Sequence, residues 1–378
     1  MKILQLGKMK ILQLGKFYPI RGGVEKVMLD LTEGLSARGV ECDMLCAAFH
    51  KKGFVRQLNS RGRLIVVNAL ANKAATMISP AMIGKMRRMA AEYDIVHVHH
   101  PDPMAALALR CSDFKGKVVL HWHSDIVKQK RLLKLYLPLQ KWLIKRADII
   151  VGTTPVYVKE SPYLQDCQHK ITYLPIGIHP MKEMPDEAEE LRRQYPGKRI
   201  VFSLGRLVPY KGFGYLIEAA KMLGDDYVVL IGGTGPMRDV LQAQIDNLGL
   251  TDRVKLLGFV PDEKLPVYFS ACDLFCLSSV MKTEAFAIVQ IEAMSLGKPV
   301  VATRIPQSGV PWVNAHGQSG LNAEPCNAED LVRCIKAVLE DKDAYNRFSE
   351  GALERYHTMF TQEQMINNCL EIYSKLWS

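Results

Sequence analysis

No stretch of this sequence is long and apolar enough to suggest a membrane span, and no secretion signal opens it. None of its hydrophobic runs approaches the roughly 18 consecutive apolar residues that a membrane-spanning helix requires. The first eight residues, Met-Lys-Ile-Leu-Gln-Leu-Gly-Lys, lack the layout of a signal peptide and instead predict a strand. We therefore expect a protein that works in the cytoplasm.

Two further absences argue against other classes of protein. The nine cysteines include no Cys-x-x-Cys pair and are odd in number, which argues against a closed disulfide framework and predicts reduced thiols. No Gly-x-Gly-x-x-Gly motif follows the first predicted strand, which argues against a nicotinamide dinucleotide enzyme.

What the sequence does have is the composition of a soluble α/β protein. Hydrophobic residues make up 48% and charged residues 23% of the 378 positions, a length that suits two domains of about 180 residues each. Short β-branched runs alternate with helical patterns, which predicts parallel βαβ units and two doubly wound sheets. The predicted strands are residues 9–15, 41–46, 64–67, 95–99, 118–121, 149–152 and 171–174, then 200–204, 227–231, 254–258, 274–277, 299–302 and 320–323.

The division between the domains is predicted near residues 175–183. There the segment Ile-Gly-Ile-His-Pro ends one pattern and an acidic helix begins. Because ligands of such sheets bind at the carboxyl ends of the strands, we expect the active site in a cleft between the two domains.

Charge is distributed unevenly along the chain. Residues 1–180 contain 28 Lys and Arg against 13 Asp and Glu, whereas the remainder contains 21 against 26. This asymmetry indicates that the amino-terminal half meets an anionic partner. Nucleic acid is one candidate for this partner, but the sequence has no recognition motif for it, so we expect no nucleic acid.

The amino terminus contains a perfect duplication. Residues 1–8 recur without change as residues 9–16, and two copies are too few for a repeat architecture. The second copy continues directly into Phe-Tyr-Pro and a glycine loop, so we expect it to form the first strand. Residues 1–8 are then predicted to be a dispensable extension.

The segment Thr-Glu-Ala-Phe-Ala-Ile-Val-Gln-Ile-Glu-Ala-Met contains two glutamates, Glu284 and Glu292, separated by an apolar run that predicts a buried helix. Eight residues of helix rise about 12 Å, comparable to the span of a nucleotide sugar from its ribose to its hexose. Carboxylates spaced in this way would hold hydroxyl groups at both ends of such a donor. The alternative is a pair of ordinary glutamates on a helix surface.

Other residues suit the phosphate groups of the same ligand. Arg206 and Lys211 follow a predicted strand, where a guanidinium and an ammonium would clamp a diphosphate and stabilise its charge; the alternative is a solvated basic loop. Gly22 and Gly23 precede a predicted helix, whose amino-terminal N–H groups would approach an oxyanion. The glycine-rich turn around Gly233 would likewise let backbone N–H groups approach a phosphate. The alternative is that this turn simply joins a strand to a helix.

Taken together, these motifs resemble the retaining glycosyltransferases of family 4, and the resemblance extends from Phe-Tyr-Pro-Ile-Arg-Gly-Gly-Val-Glu at residues 17–25 to the last helix. It implies a GT-B fold, with two facing doubly wound parallel-sheet (Rossmann-like) domains and an interdomain cleft. The expected domains are residues 1–178 on the acceptor side and residues 179–361, which bind the donor. Residues 362–378 would form a helix that packs back on the first domain.

The resemblance also assigns roles to individual residues. It implies that Glu284 faces the transferred sugar, that Glu292 holds the ribose hydroxyls, and that His123 hydrogen-bonds the sugar near the acceptor. The catalytic set is then His123, Glu284, Arg206 and Lys211. The donor would be bound by Gly22, Gly23, Arg206, Lys211, Gly233, Phe259, Val260, Glu284, Phe286, Ala287, Ile288 and Glu292, with Phe259 and Val260 beside the nucleobase.

The sequence departs from the family pattern beside the first glutamate. Glu-Ala-Phe-Ala stands where the family has Glu-Gly-Phe-Gly. Replacing both glycines removes backbone freedom and adds two methyl groups beside the donor, which bears on phosphate packing and on the choice of sugar.

Histidines cluster on two predicted neighbouring strands. His97, His99, His100 and His121 surround His123 in sequence, and their i, i+2 spacing is compatible with a zinc site. Since the resembled family needs no metal, we expect polar residues that line the cleft, and neither a metal nor a cofactor.

A basic amphipathic segment lies at residues 128–146, with seven basic residues, no acidic ones and several apolar residues between them. This composition is typical of a helix at a membrane interface, and Lys128, Lys130, Arg131 and Lys134 are the residues predicted to meet the membrane or the acceptor. The alternative is a core-packed helix with a solvated face, and Pro138 would kink either.

The sequence thus predicts a cytoplasmic enzyme at the inner face of the plasma membrane. It would move a hexose from a UDP- or GDP-linked sugar to a glycan or polyprenyl-diphosphate-linked acceptor in surface polysaccharide biosynthesis. A sugar-nucleotide epimerase of the same fold is one alternative, and a non-catalytic basic module that binds membrane or nucleic acid is another.

Overall fold

The computed structural model of the chain describes residues 9–50, 52–73, 76–126 and 130–377, and the side chains of residues 130–132 lie outside that description. By contacts the chain forms two units: Met1–Gly177 together with Gln362–Ser378, and Ile178–Thr361. The duplicated residues 1–8 are outside the described residues, so their dispensability stays a prediction.

The first unit is built on an eight-stranded sheet with the order β10-β9-β8-β7-β1-β2-β4-β3. All its strands are parallel to their neighbours except β3, which is antiparallel to β4. A separate antiparallel hairpin pairs β5 with β6. The strands are β1 Lys10–Tyr18, β2 Glu41–Phe49, β3 Phe54–Asn59, β4 Gly62–Ala69, β5 Ala71–Lys73, β6 Thr76–Ile78, β7 Ile95–His100, β8 Lys117–Trp122, β9 Ile149–Gly152 and β10 Ile171–Tyr173.

Helices connect these strands, and apolar side chains from both layers are buried between them. The helices are α1 Gly23–Ala37, α2 Pro80–Met89, α3 Pro103–Arg110, α4 Lys130–Arg146 and α5 Pro155–Lys159. The last helix of the chain, α14 (Gln362–Trp377), also belongs to this unit. It packs so closely on α1 that a Cβ atom at Gly34 would lie 1.8 Å from Ile366 Cδ1.

The second unit has an all-parallel sheet of six strands in the order β13-β12-β11-β14-β15-β16. Its strands are β11 Arg199–Leu204, β12 Tyr227–Gly232, β13 Val254–Gly258, β14 Leu274–Cys276, β15 Val300–Thr303 and β16 Gly320–Ala323. Its helices are α6 Pro185–Arg193, α7 Phe213–Leu223, α8 Arg238–Asn247, α9 Leu265–Ala271, α10 Ile288–Met294, α11 Val310–Val313, α12 Ala328–Leu339 and α13 Lys342–Arg355.

The predicted α/β class with parallel sheets in two domains is confirmed, and each of the predicted strands overlaps an observed one. Strands β3, β5 and β6 were not predicted. Strand β3 lies at the edge of the sheet, and Val55 in it is 57% exposed, so it lacks the buried apolar run that marks the central strands. No helix in the described part of the chain is both long and apolar enough to cross a membrane.

Candidate active site

In the second unit, two loops leave the carboxyl ends of neighbouring strands on either side of a reversal in strand order. From β11 the chain builds the sheet outward through β12 and β13, then returns to place β14 on the other side of β11. Ligands of doubly wound sheets bind at such switch points. The loop after β11 contains Arg206 and Lys211, and the loop after β14 contains Glu284.

A buried ion pair joins the two loops. The Nζ atom of Lys211 lies 2.5 Å from Oε2 of Glu284, and the two side chains are 10% and 11% exposed. The hydroxyl of Ser279 donates a second hydrogen bond to the same carboxylate oxygen, at 2.9 Å. The charges therefore neutralise each other within the protein, as buried charges must.

Backbone contacts fix the loops against each other. Gly212 has φ +65°, and a Cβ atom there would lie 2.1 Å from the carbonyl oxygen of Ser278, so only glycine fits without displacing the neighbouring loop. The Ser278 hydroxyl donates to the Lys211 carbonyl at 3.1 Å, and the amide of Val280 donates to the Tyr210 carbonyl at 2.8 Å. Lys211 and Glu284 are thus brought together by the loops themselves.

Arg206 differs from Lys211 in being exposed. Among the described residues it has no ion-pair partner. It lies close enough to Tyr210 to affect its titration: burial and the Glu284 carboxylate raise the pKa of Tyr210, whereas Lys211 and Arg206 lower it. Arg206, Lys211 and Glu284 therefore surround one tyrosine, and the guanidinium stays available to an anion.

The glycine-rich turn supports the Arg206 loop directly. A Cβ atom at Gly233 would lie 1.9 Å from the Gly205 carbonyl oxygen, and one at Gly235 would lie 2.3 Å from that of Leu207. The Leu207 amide donates to the Thr234 carbonyl at 2.9 Å. These glycines are required because the backbones of the two loops touch. The turn therefore has the structural role that was the alternative interpretation of its sequence. Its contact with a phosphate stays a prediction.

The segment predicted to meet the nucleobase lies beside that turn. The Gly233 amide donates to the carbonyl of Gly258 at 2.7 Å, and Phe259 and Val260 follow at once. Phe259 is 74% exposed and Val260 is buried. An exposed aromatic ring next to a buried anchor can stack on a flat ligand.

The predicted helix from Glu284 to Glu292 is wrong. Helix α10 begins only at Ile288, so it contains Glu292 but not Glu284, and the helical rise of about 12 Å does not apply. Ala287 before it has φ +62° and ψ +79°, which no helix interior permits. The preceding loop is held by tertiary contacts: Ser308 Oγ donates to the Glu284 carbonyl at 2.5 Å, and the Gly309 amide donates to the Ala285 carbonyl at 3.0 Å.

The family's own pattern contained the signal for this loop. Its second glycine occupies the position of Ala287, and a glycine before a helix often marks a positive φ. Here alanine adopts that conformation. Phe286 is buried against Phe360, with ring centroids 5.8 Å apart, and its carbonyl accepts from Gln290 Nε2 at 2.9 Å, so Phe286 fixes the loop as a core anchor.

In the first unit, Gly22 and Gly23 lie at the start of α1 as predicted. Gly22 is the residue just before the helix, with extended φ and ψ. The carboxylate of the buried Glu25 covers it, since a Cβ atom at Gly22 would lie 2.0 Å from Glu25 Oε2. A phosphate would meet this carboxylate at the helix terminus, so the predicted phosphate contact requires Glu25 to move.

Lys16 was missed by the sequence analysis. It is a buried cation at the end of β1, with φ +62°, and its Nζ donates to the Pro101 carbonyl at 2.5 Å. Burial lowers the pKa of Lys16, while the carboxylates of Asp102 and Glu25 act in the opposite direction. Lys16 is the last residue of the second copy of the duplication, and the local sequence gives no indication of its burial.

His123 belongs to a buried histidine array, which we define as His97, His99, His121 and His123. His99 Nδ1 lies 2.9 Å from His123 Nε2, and His99 Nε2 lies 2.8 Å from Gln13 Oε1. The rings stack, with the centroids of His121 and His123 3.9 Å apart. Burial lowers the pKa of each ring, to about 3 for His121, so the array is neutral at pH 7.

Three members of the array have the side chains that a metal site requires. One ring nitrogen from each of His97, His99 and His121 lies within 4.8 Å of the others. Their planes are tilted by only 17° to 33° from one another, so the three rings lie nearly parallel. Both His99 nitrogens are also engaged. The expectation of polar residues without a metal stays a prediction.

Three of the four residues predicted to meet the membrane cannot be compared with the structure. Lys128 lies outside the described residues, as do the side chains of Lys130 and Arg131. Lys134 on α4 is exposed, and the adjacent Leu135 is 80% exposed, whereas Tyr136 and Leu143 of the same helix are buried. The helix therefore has a core face, and it also presents a leucine to solvent beside a cation.

Comparison with known proteins identifies the family. The model described as Glycosyltransferase Family 4 matches residues 21–181, and that described as Glycosyl transferases group 1 matches residues 186–355. A lipopolysaccharide core biosynthesis glycosyltransferase, LpsE of Rhizobium meliloti, is 32% identical over 356 residues, 93% of this chain and 95% of the relative. The chain belongs to glycosyltransferase family 4.

A further relative agrees with this assignment, and a solved structure agrees with the fold. The O-antigen chain mannosyltransferase C of Escherichia coli is 29% identical over 363 residues, 95% of this chain and 96% of the relative. The crystal structure of HepE from Anabaena in complex with UDP has a TM-score of 0.78 at 23% identity, covering 97% of this chain and 100% of that one. It supports the GT-B fold.

Proposed function

We propose that this glycosyltransferase moves a hexose from a nucleotide diphosphate sugar, UDP- or GDP-linked, to a glycan or polyprenyl-diphosphate-linked acceptor, with retention of anomeric configuration. Relatives named for O-antigen chains and lipopolysaccharide cores favour a role in surface polysaccharide biosynthesis. The structural neighbour HepE, solved with UDP and with UDP-glucose, favours a nucleotide sugar as donor.

The observation that carries the proposal is the Lys211–Glu284 pair beside the exposed Arg206 at the switch point of the donor-side sheet. In the transferase, the bond from the anomeric carbon to the diphosphate oxygen breaks, and its electron pair leaves with the nucleoside diphosphate. Arg206 and Lys211 stabilise that charge. The acceptor oxygen attacks from the same face, forms the new bond to the anomeric carbon, and its proton passes to the departing diphosphate.

The remaining residues position the donor. Glu284 accepts hydrogen bonds from hydroxyls of the transferred sugar, Glu292 accepts them from the ribose, and Phe259 and Val260 face the base. The charge on the leaving group is matched by side-chain cations, so we propose transfer without a bound metal. His123 hydrogen-bonds the sugar.

We also propose that the enzyme works in the cytoplasm at the inner face of the plasma membrane. The net positive charge of the amino-terminal half, with Lys134 and the exposed Leu135 on one helix, suits an anionic lipid surface. Changing Lys134 to Gln and Leu135 to Ser should reduce sedimentation with anionic vesicles at low salt. Lys159→Gln on α5 is the matched control, and equal sedimentation of both variants would contradict this surface.

The transfer itself is tested by screening UDP-, GDP- and dTDP-sugars for thermal stabilisation, since a ligand that binds the native state raises the melting temperature. The best donor is then incubated with a polyprenyl-diphosphate-linked acceptor, and the product linkage is read by NMR. We expect the donor's own anomeric configuration in the product. Conversion of the donor in the absence of acceptor would indicate an epimerase, and an inverted linkage would contradict retention.

A further inference from the structure

A chain of hydrogen bonds links His123 to the carboxyl-terminal helix through the core of the first unit. His123 Nε2 contacts His99 Nδ1 at 2.9 Å, and His99 Nε2 contacts Gln13 Oε1 at 2.8 Å. The Gln13 amide donates from Nε2 to Tyr373 Oη at 3.1 Å, and that hydroxyl lies 2.6 Å from His97 Nδ1. All five side chains are buried.

The orientation of the Gln13 amide, with Oε1 toward His99 and Nε2 toward Tyr373, gives the chain one direction. A neutral imidazole carries one N–H and one lone pair. Because Gln13 Oε1 can only accept, His99 must carry its proton on Nε2, and its Nδ1 is a lone pair. His123 must then donate from Nε2, so its own lone pair is on Nδ1. At the other end the Tyr373 hydroxyl, which accepts from Gln13, donates its proton to His97.

The orientation of the Gln13 amide therefore determines which atom of each group in the chain carries the proton. The opposite orientation would reverse each donor and acceptor and place the His123 proton on Nδ1. In the observed orientation, Nε2 of Gln13 also faces the Cys42 sulfur at 3.9 Å. The Tyr373 phenol and the Cys42 thiol, each of which can accept a hydrogen bond, thus lie on the Nε2 side of the amide, and the His99 imidazole lies on its Oε1 side.

We propose that this chain holds His123 as its Nε2–H tautomer, so that the nitrogen it has left to offer, Nδ1, accepts a hydrogen bond from a hydroxyl of the donor sugar. Phosphate oxygens have no proton to give at neutral pH, and a nitrogen lone pair repels them. Gln13, His99 and Tyr373 act through His123 and are positioning residues. The ligand rests on the proposed function, whereas the tautomer does not.

The tautomer is measured directly by long-range 1H–15N NMR on protein labelled with [15N]histidine, with the His123 signals identified by their loss in His123→Gln. We expect Nε2 of His123 to be protonated and Nδ1 to be unprotonated at pH 7.5, in about tenfold or greater excess over the other tautomer. A proton on Nδ1, or rapid averaging between the two forms in the wild-type protein, would overturn the inference.

Two variants test whether the chain causes this preference. Gln13→Met removes the acceptor for His99, and Tyr373→Phe removes the acceptor that orients the Gln13 amide; in both we expect the His123 signals to move toward the averaged position. Tyr93→Phe is the matched control, because Tyr93 is a buried tyrosine of the same unit whose hydroxyl bonds Asp43 instead. Unchanged His123 signals in Gln13→Met would overturn the inference.

Activity separates this inference from the proposed function. In Gln13→Met we expect turnover to fall about tenfold, while the affinity for free UDP or GDP stays within about twofold of the wild-type value. The reason is that binding of the phosphates does not involve His123. Loss of nucleotide affinity in parallel with turnover would contradict the positioning role. A wild-type protein with the expected tautomer but no sugar transfer would contradict the proposed function alone.

Discussion

The ammonium of Lys211 lies 2.5 Å from the carboxylate of Glu284, and both side chains are about nine-tenths buried. Before any donor arrives, each is therefore the counter-ion of the other. Removing one partner of such a pair leaves a buried charge without compensation, which costs more than the pair itself contributes. The two residues consequently affect the stability of the second unit as well as its activity.

We expect Lys211→Met to lower the free energy of unfolding by about 3–5 kcal/mol, because it leaves the Glu284 carboxylate buried without a counter-ion. The double variant Lys211→Met/Glu284→Gln should lose clearly less than the sum of the two single variants. Denaturant unfolding of all four proteins measures this coupling. Additive losses would show that the two groups do not interact in solution.

Arg206→Ala should separate donor binding from stability. Because the guanidinium is exposed, we expect the melting temperature to stay unchanged while the affinity for free nucleoside diphosphate falls by about 1.5–3 kcal/mol. Calorimetry gives the affinity. Arg193 on α6, whose partner is Glu189, provides the control: Arg193→Ala should leave binding intact, and equal losses in both variants would point to a general charge effect.

The two glutamates should have different effects on nucleotide binding. Glu292→Gln should weaken binding of UDP or GDP because it removes the ribose acceptor. Glu284→Gln should lower turnover without weakening the binding of UDP or GDP, since the loss of the carboxylate charge also frees Lys211 to contact the diphosphate. Titration of both variants with the free nucleotide compares them. Weaker nucleotide binding in Glu284→Gln would contradict the assignment of Glu284 to the sugar.

Ala287 adopts a left-handed conformation that costs a residue with a Cβ atom about 1–2 kcal/mol. Ala285, two residues earlier, is not in that region, so a glycine there only adds unfolded-state entropy. We therefore expect Ala287→Gly to be more stable than Ala285→Gly by at least about 1 kcal/mol. Thermal and denaturant unfolding of the two variants provides the comparison, and equal stability would show that the loop carries no strain.

The first unit should be sensitive to acid. Five histidines, His97, His99, His100, His121 and His123, have pKa values lowered by burial from about 6.5. Above pH 6.5 these histidines are neutral in both the folded and the unfolded state, so they do not affect the free energy of unfolding. As the pH falls below 6.5 the unfolded chain takes up protons that the folded unit excludes, so stability drops by up to about 1.4 kcal/mol per pH unit for each histidine.

Amide hydrogen exchange at pH 7.5 and pH 5.5 tests this expectation. Strands β7 and β8 should lose protection at the lower pH, after correction for the intrinsic exchange rate. Strands β11 and β12 of the second unit are the internal control, since His179, His316 and His357 are all exposed there. Equal changes in both sheets would contradict the assignment of acid sensitivity to the buried histidines.

The sequence by itself determined the strands, their parallel arrangement and the family. Central strands such as Ile95–His100 and Tyr227–Gly232 are buried on both faces, so their apolar runs are visible without any knowledge of neighbours. The glycines at Gly22 and Gly233 and the basic residues after β11 are also local signals. They predict a donor site on named loops, because the carboxyl ends of parallel strands define where ligands bind.

Only the tertiary structure decided what those loops look like. The residues between Glu284 and Ile288 favour a helix locally, but Ser308 and Gly309, more than twenty positions away in sequence, hold them as a loop. Likewise Gln13, a buried amide in a largely apolar strand, meets His99 from one side and Tyr373 from the other. Local propensities amount to fractions of a kcal/mol per residue, whereas a buried hydrogen-bonding group left unpaired costs about 1–3 kcal/mol. At these positions the distant partners therefore override the local preference, and a single sequence does not reveal which partners they are.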